Sequence, residues 1–234
     1  EAVRITLYCK GASGQSLKSR KAESMTNKRK TADPFQREKP PLLIVITGPS
    51  GVGKDSVVLR MKERGFPFHF VVTATDRPPR PGEVQGKDYF FYSTSQFERM
   101  IAQGELLEHA CVYGQHKGIP AAHVREALAS GHDVVMRVDV QGATTVKGLI
   151  PSATVVFLTC ESEEELTERL RMRRTESEEA LQNRLDVSRQ EMALIPGFDY
   201  VVANRRDLLD EAVDDVVAII RAEHCRSVPR WIHL

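Results

Sequence analysis

A glycine-rich segment next to a lysine carries the clearest chemistry in the sequence. It reads Gly-Pro-Ser-Gly-Val-Gly-Lys over residues 48–54 and lies between an apolar run and a helix-like pattern. Glycines let the backbone turn its N–H groups toward a polyphosphate, and the lysine ammonium reaches the β- and γ-phosphates. The string alone also fits an ordinary turn between a strand and a helix, but the flanking pattern favours phosphate binding. We predict a nucleoside triphosphate site at Gly48, Pro49, Ser50, Gly51, Val52, Gly53, Lys54, Asp55 and Ser56.

The residue after the lysine departs from the usual motif. A Ser or Thr hydroxyl normally contacts Mg²⁺ at this position, whereas this chain has Asp55, with Ser56 one residue later. We predict that the Asp55 carboxylate contacts Mg²⁺, directly or through water. Arg137 would then offset the added negative charge, and Ser56 would contact a phosphate.

Two arginines on a proline-rich loop indicate a second phosphate site. Arg77 and Arg80 lie three residues apart, and the prolines around them hold the backbone extended. Guanidinium groups held in this way can bind a phosphate through paired donors. Tyr89 could add a phenolic hydrogen bond. A surface loop with salt bridges is the alternative interpretation.

Glu108 is a carboxylate within an otherwise apolar run, residues 106–110. Taken alone, it fits a strand residue that faces water. In a nucleotide kinase it has a sharper meaning, because a carboxylate accepts two parallel N–H bonds. Guanine offers such a pair, N1–H beside its 2-amino group, and adenine does not.

The elements that position these residues alternate between two periodicities. Strand-like runs occupy residues 42–46, 70–72, 133–138, 154–158 and 200–202, and helical patterns include residues 164–173 and 208–220. This alternation predicts an α/β fold with a mainly parallel sheet covered by helices. Ligands in such sheets bind at the carboxyl ends of the strands, where the glycine-rich loop lies.

Composition limits the remaining possibilities. The 234 residues, of which 41% are hydrophobic, suffice for one globular domain with appendages. The longest apolar runs are too short to span a membrane. The four cysteines form no C-x-x-C pair, which argues against a metal site or a disulfide framework and favours a reducing compartment.

The first 40 residues differ from the rest in charge. They carry ten Lys or Arg against four Asp or Glu, whereas the remaining residues carry 23 against 28. We predict that residues 1–39 form a disordered basic extension. Its serine-rich, acid-poor composition fits the remnant of a transit peptide for a plastid or a mitochondrion. A solvated tail, a weak nucleic-acid arm and a cytoplasmic location are the alternatives.

The motifs together resemble those of guanylate kinases, in particular the plant organelle type. They stand in family order from residue 41 to about residue 220: the glycine-rich loop, the Arg-Pro-Pro-Arg-Pro-Gly-Glu segment, Glu108, Val138-Asp-Val-Gln-Gly142, an arginine-rich stretch and Asn204. The resemblance implies a P-loop nucleoside monophosphate kinase with a parallel core sheet, a small GMP-binding domain and a helical lid. It also implies Mg²⁺-dependent transfer of the γ-phosphate of ATP to GMP or dGMP.

The resemblance further implies roles and boundaries. GMP would contact Thr73, Arg77, Arg80, Tyr89, Glu108, Lys117, Asp139 and Gln141, and ATP would also contact Asn204. Catalysis would depend on Lys54 and on the lid residues Arg169, Arg173 and Arg184. The core would comprise residues 40–71, 131–160 and 197–234, the GMP-binding domain residues 72–130, and the lid residues 161–196.

Two departures from the family pattern leave alternatives open. Arg137 stands where an acidic residue is frequent, and residues 116–120 lack the expected phenol and hydroxyl, so that Lys117 would contact the phosphate instead. Lys-Asp-Ser and Gly-Ile-Pro also resemble ribose 1,5-bisphosphate phosphokinases, whose acceptor has no base. A non-catalytic guanylate-kinase-like module that binds phosphopeptides is the other alternative, but such modules typically lack the lysine. We expect no nucleic-acid or membrane partner, and a monomer or a weak dimer.

Overall fold

Two sheets organise the residues that the computed structural model describes, 38–112, 114–172 and 178–234. The strands are β1 (Leu43–Thr47), β2 (His69–Phe70), β3 (Ala74–Thr75), β4 (Phe90–Phe91), β5 (Leu106–Val112), β6 (Gln115–Pro120), β7 (Val134–Arg137), β8 (Thr154–Thr159) and β9 (Tyr200–Ala203). The helices are α1 (Lys54–Glu63), α2 (Thr94–Ala102), α3 (Ala121–Ala129), α4 (Val140–Leu149), α5 (Glu163–Met172), α6 (Glu178–Met192) and α7 (Leu209–His224), with a 3₁₀ turn at Ile195–Gly197.

The larger sheet has the order β2-β7-β1-β8-β9, and all its neighbouring strands are parallel. Its central strand β1 is buried on both faces. Ile44 and Ile46 pack with Met61 of α1 in one apolar cluster, whereas Leu43 and Val45 pack in another. Because helices cover both faces, the strand is a continuous apolar run rather than an alternating one. The predicted α/β fold with a parallel core sheet is confirmed.

The carboxyl ends of the core strands meet at one edge of this sheet. Ile46 of β1 lies opposite Arg137 of β7, and Thr159 of β8 lies opposite Ala203 of β9. The glycine-rich loop therefore leaves the sheet beside the residues that follow β7 and β9. Parallel pairing thus brings together residues that are far apart in the sequence.

The smaller sheet has the order β4-β3-β6-β5 and contains the β5–β6 hairpin. Its register shifts between Leu106 and Glu108. Such a bulge bends a strand and redirects its side chains, and here both Leu107 and Glu108 are buried although they are adjacent. The local irregularity thus places a carboxylate in the interior.

The subdomain boundaries that the sequence suggests stay a prediction. Residues 1–37 of the predicted extension and the predicted lid residue Arg173 lie outside the described residues. Residues 38–234 group as one compact unit. Among the described residues, no helix has the length and apolar character needed to cross a bilayer.

Candidate active site

Close packing explains why glycine is needed in the glycine-rich loop, residues 48–54, which is called the phosphate loop below for its predicted role. Gly48 and Gly53 have φ angles of 134° and 89°, a region that favours glycine. A Cβ on Gly48 would lie 2.2 Å from the carbonyl oxygen of Leu158, and one on Gly53 would lie 2.3 Å from the Asn204 side-chain nitrogen. The backbone of the loop therefore needs glycine at both ends for conformation and for space.

Lys54 begins α1 and folds back over the loop. Its Nζ donates to the carbonyl oxygens of Gly48, at 2.5 Å, and Pro49, at 2.9 Å. The residue before it, Gly53, has no side chain that could cap the helix, so the N–H groups of the first turn remain suited to an anion. The loop, the helix N-terminus and the ammonium group lie together, as the predicted phosphate site requires.

Two side chains from other elements support the loop. The Asn204 amide donates to the carbonyl oxygen of Val52 at 2.8 Å. Arg169 of α5 donates to the same oxygen at 3.3 Å and to the Asn204 carbonyl at 2.7 Å, while it pairs with Glu165. Arg169 therefore links the lid region to the loop.

Arg184 reaches the loop from α6. Its Nη1 lies 3.5 Å from the hydroxyl of Ser50. Of the three lid arginines that the sequence suggests, Arg169 and Arg184 both contact the phosphate loop, and Arg173 is outside the described residues.

Asp55 and Arg137 form an ion pair beside the cradle. Asp55 lies in the first turn of α1 with its side chain 72% exposed, and Arg137 ends β7 with its side chain 31% exposed. Mg²⁺ is usually held by one or two carboxylates together with waters and substrate phosphates. Asp55, which also pairs with Arg137, is an exposed carboxylate of this kind next to the glycine-rich loop.

Glu108 and Asp139, both predicted to contact GMP, lie close to each other. Burial and the charge of Asp139 raise the pKa of Glu108 to about 7. Asp139 caps α4 by accepting a hydrogen bond from the Gly142 N–H at 2.7 Å. A Cβ on Gly142 would lie 2.8 Å from the Glu108 carboxylate, so α4 approaches this carboxylate closely only because Gly142 has no side chain.

Arg77 is buried and engaged with a carboxylate. Its guanidinium donates to both oxygens of Glu83, at 2.7 and 2.5 Å, and lies 4.8 Å from the centre of the Tyr89 ring. Glu83 also accepts a hydrogen bond from the Arg80 N–H, and its bonds to Arg77 contribute most to lowering its pKa to about 2. The side chain of Arg80 is exposed. The predicted phosphate-binding loop is thus held together by Glu83.

The remaining predicted GMP contacts are less closely defined. Thr73 precedes β3 and is half-buried, Lys117 is half-buried in β6 opposite Thr75, and Gln141 is exposed in the first turn of α4. The structure places Thr73 and Lys117 in or beside the smaller sheet. Gln141 follows Asp139 by two residues.

Sequence reasoning missed Glu191 of α6. Burial raises the pKa of this carboxyl, the charge of Lys54 lowers it and that of Asp139 raises it. The Glu191 carboxyl is therefore close enough to Lys54 and to Asp139 to be affected by both charges. The helical spacing of Arg184, Ser188 and Glu191 places them on one face of α6. This spacing could have indicated that Glu191 lies on the same side as the predicted lid residue Arg184. The sequence also shows Glu83, a carboxylate six residues after Arg77, which could have been considered as its partner.

Comparisons with known proteins agree with this geometry. A family model described as guanylate kinase matches residues 41–223. "Guanylate kinase 2, chloroplastic/mitochondrial" of Oryza sativa subsp. japonica is 45% identical over 205 residues, covering 87% of this chain and 72% of that protein. Guanylate kinase of Gloeobacter violaceus is 47% identical over 181 residues, covering 77% and 87%.

A solved structure gives the same result. The crystal structure of guanylate kinase from Anaplasma phagocytophilum superposes with a TM-score of 0.65 at 27% identity, covering 81% of this chain and 89% of that one. The family that the motifs suggest is confirmed: the chain belongs to the guanylate kinase family.

Proposed function

We propose that this enzyme transfers the γ-phosphate of ATP to GMP, and also to dGMP, in an Mg²⁺-dependent reaction of purine nucleotide metabolism. The observation that carries this proposal is the buried Glu108 beside Asp139, which follows β7 at the edge of the core sheet where the glycine-rich loop leaves β1. The phosphate loop suits a triphosphate. Glu108 offers a carboxylate to a base with two adjacent N–H groups.

The donor nucleotide binds at the glycine-rich loop. The backbone N–H groups and Lys54 hold its β- and γ-phosphates, while Asn204 and Arg169 keep the loop in shape. When bound, Mg²⁺ would neutralise phosphate charge, with Asp55 as the carboxylate that holds it.

The acceptor binds on the side of Glu108. This carboxylate accepts N1–H and the 2-amino group of guanine, and Asp139 with Thr73 and Gln141 completes the surroundings of the base. Arg77, Arg80, Tyr89 and Lys117 hold the GMP phosphate, and Glu83 keeps Arg77 in position through two hydrogen bonds.

The transfer needs no general base, because the attacking oxygen of the GMP phosphate is already charged. The protein aligns the two nucleotides and stabilises the charge on the transferred group with Lys54 and with the lid residues Arg169, Arg173 and Arg184. Glu191 lies near Lys54 and helps to set the charge balance at the transfer point.

The two other functions that the motifs allow are less well supported. A ribose 1,5-bisphosphate acceptor has no base, so a buried carboxylate beside Asp139 would have no substrate group to bind. A phosphopeptide-binding module needs no phosphate-loop lysine, yet Lys54 is held in the cradle by two hydrogen bonds.

The test is a coupled assay with ATP and a set of competing acceptors. GMP and dGMP are expected to be phosphorylated far faster than AMP, dTMP or ribose 1,5-bisphosphate. Turnover that favours AMP or the ribose compound would contradict the role of Glu108. Lack of turnover with every acceptor, together with phosphopeptide binding, would favour the scaffold function.

We further propose an organellar location, in a plastid or a mitochondrion. The basic composition of residues 1–40 supports it, as does similarity to the rice protein whose name gives both organelles. An antibody against residues 41–234, used on fractionated cells of the source organism, should detect the protein in an organelle fraction. Recovery in the cytosol alone would contradict this proposal.

A further inference from the structure

Arg137 occupies the junction of the two nucleotide sites. It ends β7 directly opposite Ile46 of β1, so it lies beside the start of the phosphate loop. Two residues later, Asp139 lies close enough to Glu108 to raise its pKa. The transferred phosphoryl group must pass from the phosphate loop to the side of Glu108 and Asp139.

The alternation of β7 shows which way the Arg137 side chain leaves the sheet. Val135 packs in the same cluster as Val57 and Met61 of α1, whereas Val134 and Met136 pack on the opposite face. Side chains two residues apart share a face of a strand. Arg137 therefore emerges on the face of α1, where Asp55 pairs with it in the first helical turn.

The ion pair with Asp55 leaves spare hydrogen-bond donors on the Arg137 guanidinium. A guanidinium group has five N–H donors, and one carboxylate engages only some of them. Asp55 is the more exposed partner and Arg137 the more shielded one. A phosphate oxygen at this point would accept hydrogen bonds from the remaining donors of Arg137.

We propose that Arg137 is a further phosphate-binding residue of this enzyme, whose guanidinium donates hydrogen bonds to the phosphoryl group in transit. The inference rests on the proposed function. Arg137 keeps its protons throughout, while the bond from the γ-phosphorus to the ADP oxygen breaks and the bond to the GMP phosphate oxygen forms. Asp55 is the positioning residue, since it fixes the guanidinium beside the cradle.

The test compares Arg137→Gln with a control that removes a similar ion pair from the same helix. Arg64, directly after α1, pairs with Asp214 and more distantly with Asp210, and its side chain is 29% exposed. Arg64→Gln is therefore expected to lower thermal stability without changing turnover. Arg137→Gln is expected to lower kcat about 100-fold, with the KM for GMP changed by less than about threefold.

A metal-free measurement separates this role from effects on Mg²⁺. A bisubstrate analogue, adenosine and guanosine joined by five phosphates, is titrated calorimetrically into each full-length variant in the presence of EDTA. Arg137→Gln should bind it at least about tenfold more weakly than the parent and Arg64→Gln equally well. Arg137→Lys should recover part of the affinity, because it keeps the charge but loses the paired donors.

Equal affinities and equal kcat values for Arg137→Gln and Arg64→Gln would overturn the inference and leave Arg137 with a purely structural role. The inference would also be overturned if, across the variants, affinity for the bisubstrate analogue falls only in parallel with the melting temperature. Failure of the parent enzyme to phosphorylate GMP would instead contradict the proposed function. In that case the metal-free titration still decides whether Arg137 binds phosphate.

Discussion

Glu108 allows a prediction that links stability to substrate choice. The substitution Glu108→Gln keeps the shape of the side chain and removes its charge. The residue is 8% exposed, and burial together with the charge of Asp139 raises the pKa of its carboxyl from 4.5 to about 7. We expect the variant to be more stable than the parent at alkaline pH and much less active on GMP.

The effect on stability follows from the two pKa values. The folded protein holds the Glu108 proton more tightly than the unfolded chain does, so this group lowers stability as the pH rises from about 4.5 to about 7. The full difference between the folded and unfolded pKa values lowers the free energy of unfolding by about 3 kcal/mol. About 2 kcal/mol of this loss develops between pH 5.5 and pH 8. Glu108→Gln should therefore gain about 2 kcal/mol relative to the parent over this range.

The effect on substrate has the opposite sign. Guanine binds the ionised carboxylate, so the affinity of the parent for GMP should fall about tenfold between pH 8 and pH 6 as Glu108 takes up its proton. In the variant, one N–H of guanine meets the amide N–H₂ rather than an oxygen. We expect kcat/KM for GMP to fall about 100- to 1000-fold at pH 8.

Urea unfolding at pH 5.5 and pH 8 and a coupled assay between pH 6 and pH 8 measure both effects. Because a phosphate group gains a proton near pH 6, the pH profile of the variant serves as the baseline for GMP itself. Glu105→Gln, an exposed carboxylate three residues away, is the control for a change of charge alone. A stability difference that is constant with pH, or an unchanged kcat/KM for GMP, would refute the reasoning.

Three further substitutions test neighbouring parts of the site. Gly142→Ala places a Cβ 2.8 Å from the Glu108 carboxylate, so the KM for GMP should rise about tenfold while the KM for ATP stays constant; equal changes in both would contradict this. Lys54→Met should lower kcat at least about 1000-fold with GMP binding, measured by calorimetry, nearly unchanged; retained turnover would contradict the mechanism. Glu83→Gln weakens the support of Arg77 and should raise the KM for GMP several-fold; an unchanged KM would limit Glu83 to a structural role.

The glycine-rich turn and the fold class could be predicted because their signals are local. A glycine-rich turn needs its glycines and lysine within a few residues, and buried parallel strands are recognisable as short apolar runs. Glu108 could be identified as unusual because a carboxylate interrupts such a run. Its burial, however, depends on the bulge beside Leu106, which no local pattern revealed.

The parts that could not be predicted depend on contacts through space. Glu83 and Arg77 pair across a loop whose prolines hide any periodicity. In the sequence, Glu191 is one of many charged residues on α6, and its closeness to Lys54 and Asp139 depends on the tertiary structure. Likewise, the need for glycine at residue 142 becomes visible only when Glu108 lies against α4.

Burial of the charged Glu108 carboxylate lowers the stability of the protein, and the same burial makes the carboxylate selective for guanine. Burial and the charge of Asp139 raise its pKa, and among the described residues no hydrogen bond to this carboxylate lowers it. A ligand that supplies two N–H donors relieves an unfavourable charge, so guanine gains more here than it would at a carboxylate already satisfied by the protein. Adenine would leave that charge buried and unpaired, and sites of this kind reject an analogue that lacks the matching donors by large factors. Selectivity for GMP over AMP should therefore decrease sharply in any variant that hydrates Glu108 or gives it a donor from the protein, even when every direct contact to the phosphate is intact.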